Sequence, residues 1–442
     1  MDRAAKSMHR DWSQLVPDIL DLIASRLSLD DYYRFRSVCT AWRHSRSSYH
    51  RHPVPWLVYS KSKTRGFYCL HNNRFYQIPL PKGRCAGTSY GWLIMSHENY
   101  ETSLFNPFTG NKISLPNRRS LFKFAISEND PLWNVQLSYE LTMQQVRQFY
   151  KQQVDLFPTQ RFITGWKYKK TPYCIKKAIL SSEPTMANIA AGRCKVAAIV
   201  VDDNFDEHNM IAFCRPGDQS WTSCVLSPRD DDDRRDDPDR RDDTDIIFSE
   251  GKFYAIDRSF CLYVLNIEDK DMSWRKLPTT PPSDMKYEEQ NFRNRPYLVE
   301  SRGELLLIIR VMSERPGTWH HYTKSFLVFK LDTTNDPASW VRVYDMDGRV
   351  LFVAQGPPQL IELSGFHELS GSESNCFYYV DDDCTDDSPN LDIGLFRLDS
   401  PNLDVGLFRL DGRSHEHPFR KDDISCIQNY VFPSIWITPN PY

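Results

Sequence analysis

Glycine is scarce, with 18 residues against 28 prolines. Little is available to build a phosphate-cradling loop, and neither a P-loop nor a dinucleotide fingerprint occurs. H-E-x-x-H and G-x-S-x-G are also missing, so no catalytic constellation is legible and no cofactor or metal is expected. None of the 11 cysteines forms a C-x-x-C pair, which argues against a zinc ribbon or a thioredoxin-type redox pair. An odd, widely spaced set reads instead as free, mostly buried thiols in a reducing compartment. No apolar run approaches the roughly 18 residues that cross a bilayer, and no N-x-[ST] sequon occurs. Residues 1–11 are charged with no apolar stretch behind them, so a secretory leader is not expected. Charge of one sign is not in excess either. The 55 Lys+Arg against 58 Asp+Glu leave a net charge of −3, which excludes a globally basic nucleic-acid binder. The expected home is the cytoplasm, the nucleus or both.

What is present is a globular composition, 40% hydrophobic and 26% charged, in 442 residues. That length allows several domains, or one small module and one large β domain. Aromatics at 13%, many prolines and little Ala favour strands and turns.

Residues 11–50 differ from the rest. Pro17 suits the first turn of a helix in which Leu20, Ile23, Ala24 and Leu27 make one apolar stripe. Ser28-Leu-Asp-Asp31 offers a variant capping box for a second helix. Phe35, Val38, Cys39 and Trp42 supply the apolar side of the second and third pieces. Three short helices cannot build much core alone, so the stripe needs a second surface. That surface is either the rest of this chain or another protein's helices.

The run Leu15-Val-Pro17-Asp18-Ile-Leu20-x-x-Ile23-x-x-x-Leu27-x-x-x-Asp31-x-x-Arg34-Phe35-x-x-Val38-Cys39-x-x-Trp42-Arg43 resembles an F-box. The resemblance implies docking on a Skp-family adaptor, and through it on a cullin, in an SCF-type E3 ubiquitin ligase. By position, Leu15, Pro17, Leu20, Ile23, Leu27, Val38, Cys39 and Trp42 are the implied adaptor-facing or module-packing set. Three places depart from the pattern: Val16 separates Leu15 from Pro17, Tyr32 and Tyr33 replace a Leu, and Thr40 replaces a basic residue.

From Pro55 onward, strand candidates such as Trp56–Tyr59, Gly66–Leu70, Gly91–Met95, Lys195–Val201 and Leu305–Val311 alternate with turn signals. A strand opening with Ser-Trp recurs at Trp221, Trp274 and Trp340, spaced 53 and 66 residues apart. Phe75–Pro81 and Lys112–Pro116 end segments much as Arg275–Pro278 does. A β unit of about 40–65 residues suggests a propeller of six or seven blades. An irregular β-sandwich is the alternative.

Several segments are similar to a plant-specific, kelch-like domain found behind F-boxes, in the family catalogued with domain of unknown function 295. They include Ser89-Tyr-Gly-Trp92, Leu104-Phe-Asn-Pro-Phe-Thr-Gly110, Phe213-Cys-Arg-Pro-Gly-Asp218 and Val431-Phe-Pro-Ser-x-Trp436. The expected architecture is a tail over 1–10, a small all-α F-box of three short helices over 11–50, and a large all-β propeller with a helical insertion over 55–442. The implied function is target recognition for the ligase, with no catalysis of its own. The target protein is unnamed, and neither nucleic acid nor membrane is an expected partner. A non-ligase scaffolding propeller with a degenerate F-box is the alternative, and a propeller enzyme would need His, Asp or Glu clustered at its central channel.

Biased segments complete the reading. Residues 139–154 pattern as the inserted helix. Residues 229–243 hold five Arg and nine Asp and read as a disordered loop. Residues 388–399 recur at once as 400–411 with one Ile/Val change, and one copy should pair in a sheet. His320-His321, His415-Glu-His417 and Asp381–Asp387 are weak metal candidates. Trp166–Lys170 with Lys176-Lys177 mixes cations and aromatics that could grip nucleic acid or an acidic peptide.

Overall fold

The computed structural model describes residues 11–24, 27, 29–36, 38–43, 54–61, 64–69, 74–97, 99–124, 174–201, 210–226, 244–257, 259–266, 274–282, 294–314, 321–354, 356–362, 376–380, 394–397 and 435–440. The inserted helix over 139–154, the charged run 229–243, the second repeat copy and the His415, Asp381 and Trp166 clusters lie outside them.

The N-terminal module opens with a 3-10 turn, Trp12–Gln14, capped by the Asp11 carboxylate, which accepts from the Ser13 N–H at 3.0 Å. Helices α1 (Pro17–Ala24), α2 (Leu29–Arg36) and α3 (Thr40–Arg43) follow. Pro17 starts α1, where a missing N–H costs nothing. Leu20, Ala24, Tyr32 and Phe35 form the buried core, and Leu15, Ile23, Leu27 and Trp42 pack against it. Phe35 and Trp42 have ring centroids 4.5 Å apart, and the Trp42 indole N–H donates to the Trp12 carbonyl at 3.0 Å.

The strands that follow form six sheets arranged as a six-bladed β-propeller, with a 3-10 helix over Arg118–Phe124 and a short α-helix over Met186–Ala190 between them. Blade 1 pairs β1 (Trp56–Lys61), β2 (Thr64–Cys69) and β3 (Arg74–Tyr76) with the last strand of the chain, β25 (Ile435–Ile437). Blade 2 runs from β4 (Arg84–Ser89) through β5 (Trp92–Ser96) and β6 (Thr102–Phe105) to β7 (Lys112–Leu115). Blade 3 holds β8 (Cys174–Leu180), β9 (Val196–Val201), β10 (Met210–Cys214) and β11 (Thr222–Val225). Blade 4 holds β12 (Asp245–Ser249), β13 (Lys252–Ile256), β14 (Leu262–Asn266) and β15 (Arg275–Lys276).

Blade 5 orders β17 (Arg295–Ser301), β18 (Glu304–Glu314), β19 (His321–Asp332) and β20 (Ala338–Val343), with β16 (Thr279–Thr280) parallel to β20 at the outer edge. Blade 6 departs from the up-and-down order. Its sequence is β22 (Gln359–Glu362), β21 (Arg349–Val353), β23 (Cys376–Tyr379) and β24 (Gly394–Arg397), with β21 and β23 parallel. The chain therefore enters blade 6 at its second position, steps inward, and then crosses outward. β24 is the first copy of the duplicated segment, paired on β23.

Six hydrophobic clusters each join two neighbouring blades, and the last joins blade 6 to blade 1. A strand's two faces therefore serve two different interfaces: Tyr297 and Val299 pack toward blade 6, while Leu298 packs toward blade 4. Burial on both faces is why β5, β9, β10 and β21 read as near-continuous apolar runs instead of alternating ones. The three Ser-Trp repeats mark outer strands, and Trp221, Trp274 and Trp340 each pack into an interface between blades.

The inner strands β4, β8, β12, β17, β22 and β25 ring the axis. β4 and β8 approach so closely that a Cβ on Gly87 would lie 1.9 Å from the Ala178 carbonyl oxygen. The ring closes through side chains. The Thr88 hydroxyl donates to the Trp436 carbonyl at 2.8 Å, and the Gln359 amide N–H donates to the same oxygen at 2.6 Å. An ion pair between Lys177 and Asp245 is buried between blades 3 and 4, and the second Asp245 oxygen accepts from the Leu298 N–H of blade 5 at 2.7 Å. Lys177 is therefore a bolt inside the ring, which takes it out of the possible basic patch with Trp166–Lys170 and Lys176. It follows the bulge in β8, between Ile175 and Lys177.

Candidate functional site

Two surfaces stand out. The first lies on the N-terminal module. Leu20 is 2% exposed and belongs to the module's interior, with Leu15, Ile23, Leu27 and Trp42 half-buried around it. Cys39 is intermediate, and Pro17 and Val38 are exposed. The exposed apolar set also includes side chains that the motif did not single out. Trp12, Val16, Ile19 and Leu22 are 43–61% exposed, and Val38 is 60% exposed. Ile19 and Leu22 are three apart on α1, so they share one outward face. The signal in the sequence was a helix apolar on more than its inner stripe: Ile19 and Leu22 fill positions where a soluble helix carries polar residues. Of the departures from the F-box pattern, Tyr32 is fully buried and serves as core, while Val16 adds to the exposed face.

The second surface is the mouth of the central channel. A cavity of about 280 Å³ is lined by every inner strand or its end, through Thr88, Leu180, Ile247, Leu298, Gln359 and Thr438 among others. Its lining contains no His, Asp or Glu. The hairpins joining the two innermost strands of three blades surround this end. Each turns on two residues of positive φ: Tyr90-Gly91, Glu250-Gly251 and Arg302-Gly303. Such a turn favours Asn, Asp or Gly at its first position. A left-handed residue with a side chain costs about 1–2 kcal/mol. In sequence these turns read Ser89-Tyr-Gly, Ser249-Glu-Gly and Ser301-Arg-Gly, a three-residue repeat that the longer strand repeat concealed.

Around the mouth, Arg302 Nε pairs with Glu362 at 2.7 Å, which raises the guanidinium's pKa. The Asn440 amide N–H ties the C-terminal segment to the Tyr90 carbonyl at 3.0 Å and to Glu183 at 2.9 Å. Burial chiefly, then Cys194, Glu183 and Glu300, hold the Tyr90 phenol above its ordinary value. Tyr90 itself is 48% exposed at the mouth. Buried thiols elsewhere are unreactive in kind: burial pushes Cys85 up to about 12, and Cys194 and Cys224 up to about 11. Cys39, Cys69, Cys85, Cys194, Cys214, Cys224, Cys261 and Cys376 are free thiols.

Among the described residues no His/Cys/Asp/Glu group could hold a metal ion, and no helix is long and apolar enough to cross a membrane. Set against known proteins, the chain matches the KIB1-4 beta-propeller family over residues 61–408 and the F-box domain over residues 12–49. An F-box protein of Arabidopsis thaliana is 26% identical over 382 residues, covering 84% of this chain and 87% of that protein. Another from the same plant is 25% identical over 383 residues, covering 84% and 96%. A solved β-propeller domain, that of Cps50 (Swd1) from Myceliophteria thermophila, covers 78% of this chain and 94% of its own at 10% identity. Its TM-score of 0.28 is too low to bear on the fold.

Proposed function

The chain belongs to the plant F-box proteins that carry a KIB1-4 β-propeller, and from that premise we propose that it is the target-recognition subunit of an SCF-type E3 ubiquitin ligase. One observation carries the reading. The F-box leaves Trp12, Val16, Ile19, Leu22 and Val38 open to solvent, with Ile19 and Leu22 on one face of α1, and none of them belongs to its core. An exposed apolar patch of this kind marks a protein interface. The occupant is a Skp-family adaptor, with α1 presenting Ile19 and Leu22 to the adaptor's helices in a helix-to-helix contact. Through it the chain joins a cullin, and the propeller holds a target protein. The work is positioning: target lysines are held at high effective concentration beside a charged ubiquitin-conjugating enzyme. Bond making and breaking belong to the other subunits. Its free, buried thiols suit the reducing cytoplasm or nucleus.

The test is a pull-down of the full-length protein by a purified Skp-family adaptor. The double substitution Ile19→Asp with Leu22→Asp should weaken binding by at least about thirtyfold, two hot-spot kilocalories, with an unchanged circular dichroism spectrum. Leu20→Asp should also lose binding, but by unfolding the module, since Leu20 is interior. A folded wild-type protein that leaves the adaptor in the flow-through would sink the ligase reading and support the scaffolding one.

A further inference from the structure

Blade 6 has an outer strand for which the chain supplies two sequences. β24 (Gly394–Arg397) pairs antiparallel on β23 in the register Cys376↔Arg397, Phe377↔Phe396, Tyr378↔Leu395 and Tyr379↔Gly394. β23 has β21 on its other side and is buried on both faces: Tyr378 packs toward blade 1, and Phe377 and Tyr379 pack toward blade 5. An apolar strand of this kind with an open edge invites pairing by another chain. The edge of β23 therefore needs an occupant, and the sequence offers two.

Residues 388–399 recur as 400–411, and the one change, Ile393 to Val405, falls outside the paired stretch. Gly406-Leu-Phe-Arg409 matches Gly394-Leu-Phe-Arg397 residue for residue. Cross-strand pairs are the unit of sheet stability, and every pair with β23 is the same for either copy. A shift of twelve residues is even, so each side chain keeps its face of the sheet. What differs is the length of the connections. With the first copy on β23, 14 residues lead from β23 into the strand and 37 lead from it to β25. With the second copy these lengths become 26 and 25. The longer entry disfavours the second copy and the shorter exit favours it. Closure varies only with the logarithm of length, so the two arrangements lie within about a factor of two in population.

We propose that the edge of β23 is a docking site shared by the two copies, so that residues 394–397 and 406–409 of one chain exchange on it and blade 6 exists in two nearly equal forms. Each exchange moves twelve residues of chain between the exit of the outer strand and its entry. The loops that flank blade 6 change length while its core stays the same. The proposal rests on the propeller fold and the duplication, and is independent of the ligase reading.

The test uses the native Cys376 as a reporter in the full-length protein, because it stands opposite Arg397 in the register. Opposed residues of an antiparallel pair have Cβ atoms about 4.5–5.5 Å apart, near enough for mild oxidation to join two cysteines there. Arg397→Cys should form a disulfide with Cys376 when the first copy is paired, and Arg409→Cys when the second is. Both bonds should appear in the monomer fraction by peptide mapping, at rates within about threefold of each other. The second arm is stability, read as the folding equilibrium constant by pulse proteolysis in urea. Phe396→Asp and Phe408→Asp should each lower it by about twofold, the loss of one of two equal forms. The double variant should lower it by at least about tenfold, the scale of one buried polar group without a partner. An Arg409→Cys chain that stays reduced while the Arg397→Cys chain is bonded would overturn the proposal. So would a Cys376 bond in the Arg409→Cys chain that is confined to dimers, which places the second copy on another molecule, or Phe396→Asp alone matching the double variant. If neither cysteine variant oxidises, the stability arm decides: a silent Phe408→Asp overturns the exchange, and twofold effects from both single variants uphold it.

Discussion

Lys177 sits on the innermost strand of blade 3 with its ammonium inside the ring, paired to Asp245. Its neighbour Lys176 is only half-buried, so the pair of lysines that looks alike in sequence divides between interior and surface. Asp245 also accepts from the N–H groups of Ile246 and Leu298, so the carboxylate is satisfied from three strands, while the Lys177 ammonium also lies 6.0 Å from the centre of the Tyr297 ring. Removing one partner of a buried pair strands the other charge, at about 3–5 kcal/mol. Lys177→Met should therefore lower unfolding free energy by about that amount, read as a fall in the urea midpoint. Replacing Asp245 as well, by Leu, should recover part of it. The thiols give a second prediction. Burial raises Cys85, Cys194, Cys214 and Cys224 above the ordinary thiol value. In the native protein at pH 8, iodoacetamide should leave Cys85 and Cys214 unmodified by peptide mapping, while in urea they react fully. The linkage has the same sign: the unfolded thiols ionise first, near 9. Stability from these groups is thus present below that pH and lost as pH rises toward the folded values of about 11 to 12.

Strands and turns differ in how openly they announce themselves. The Ser-Trp strands are outer strands, legible because a tryptophan filling an interface between blades recurs in blades 3, 4 and 5. The inner hairpins were legible too, as Ser-x-Gly, but a three-residue signal is lost among larger spacings. Blade 6 was not legible: nothing local states that β22 lies inside β21 or that β23 runs parallel to it. The closing strand β25 is short, and its weight lies in Trp436. That side chain is buried, its indole N–H donates to the Val353 carbonyl at 3.2 Å, and its own carbonyl takes two donors. Trp436→Ala should cost about 3–5 kcal/mol, the range for a large core truncation, measured as a drop in the urea midpoint. Ending the chain at residue 434 should abolish soluble, protease-resistant protein, because it exposes β1 as an edge and opens the ring between β22 and β4.

The whole molecule is a closed ring with a small helical module ahead of it in sequence. Closure explains the composition. With the blades covered on both faces, their middle strands carry apolar residues at successive positions, as β5, β9, β10 and β21 do. The blade count of six follows from six sheets joined by six interfaces, the last returning to the first. It could not come from length alone, since residues outside the described blades lengthen the spacing. The F-box face was half legible in the same way. The heptad-like stripe located the helix and named its inner residues, while the outer face of Ile19 and Leu22 became evident only once the core was seen to close without them.

By itself the sequence determined what local chemistry can encode: a helical module with its apolar stripe, a β domain punctuated by turns, and the recurring tryptophans of outer strands. These depend on residues a few positions apart, where periodicity and backbone preference act directly. Only the tertiary structure decided which strand closes the ring, that Lys177 is interior, and that residues of every inner strand or its end line one mouth. Thr88 and Trp436 are bonded across 348 positions of chain. Contacts at that separation are chosen by the packing of whole blades, and no short window of sequence carries them.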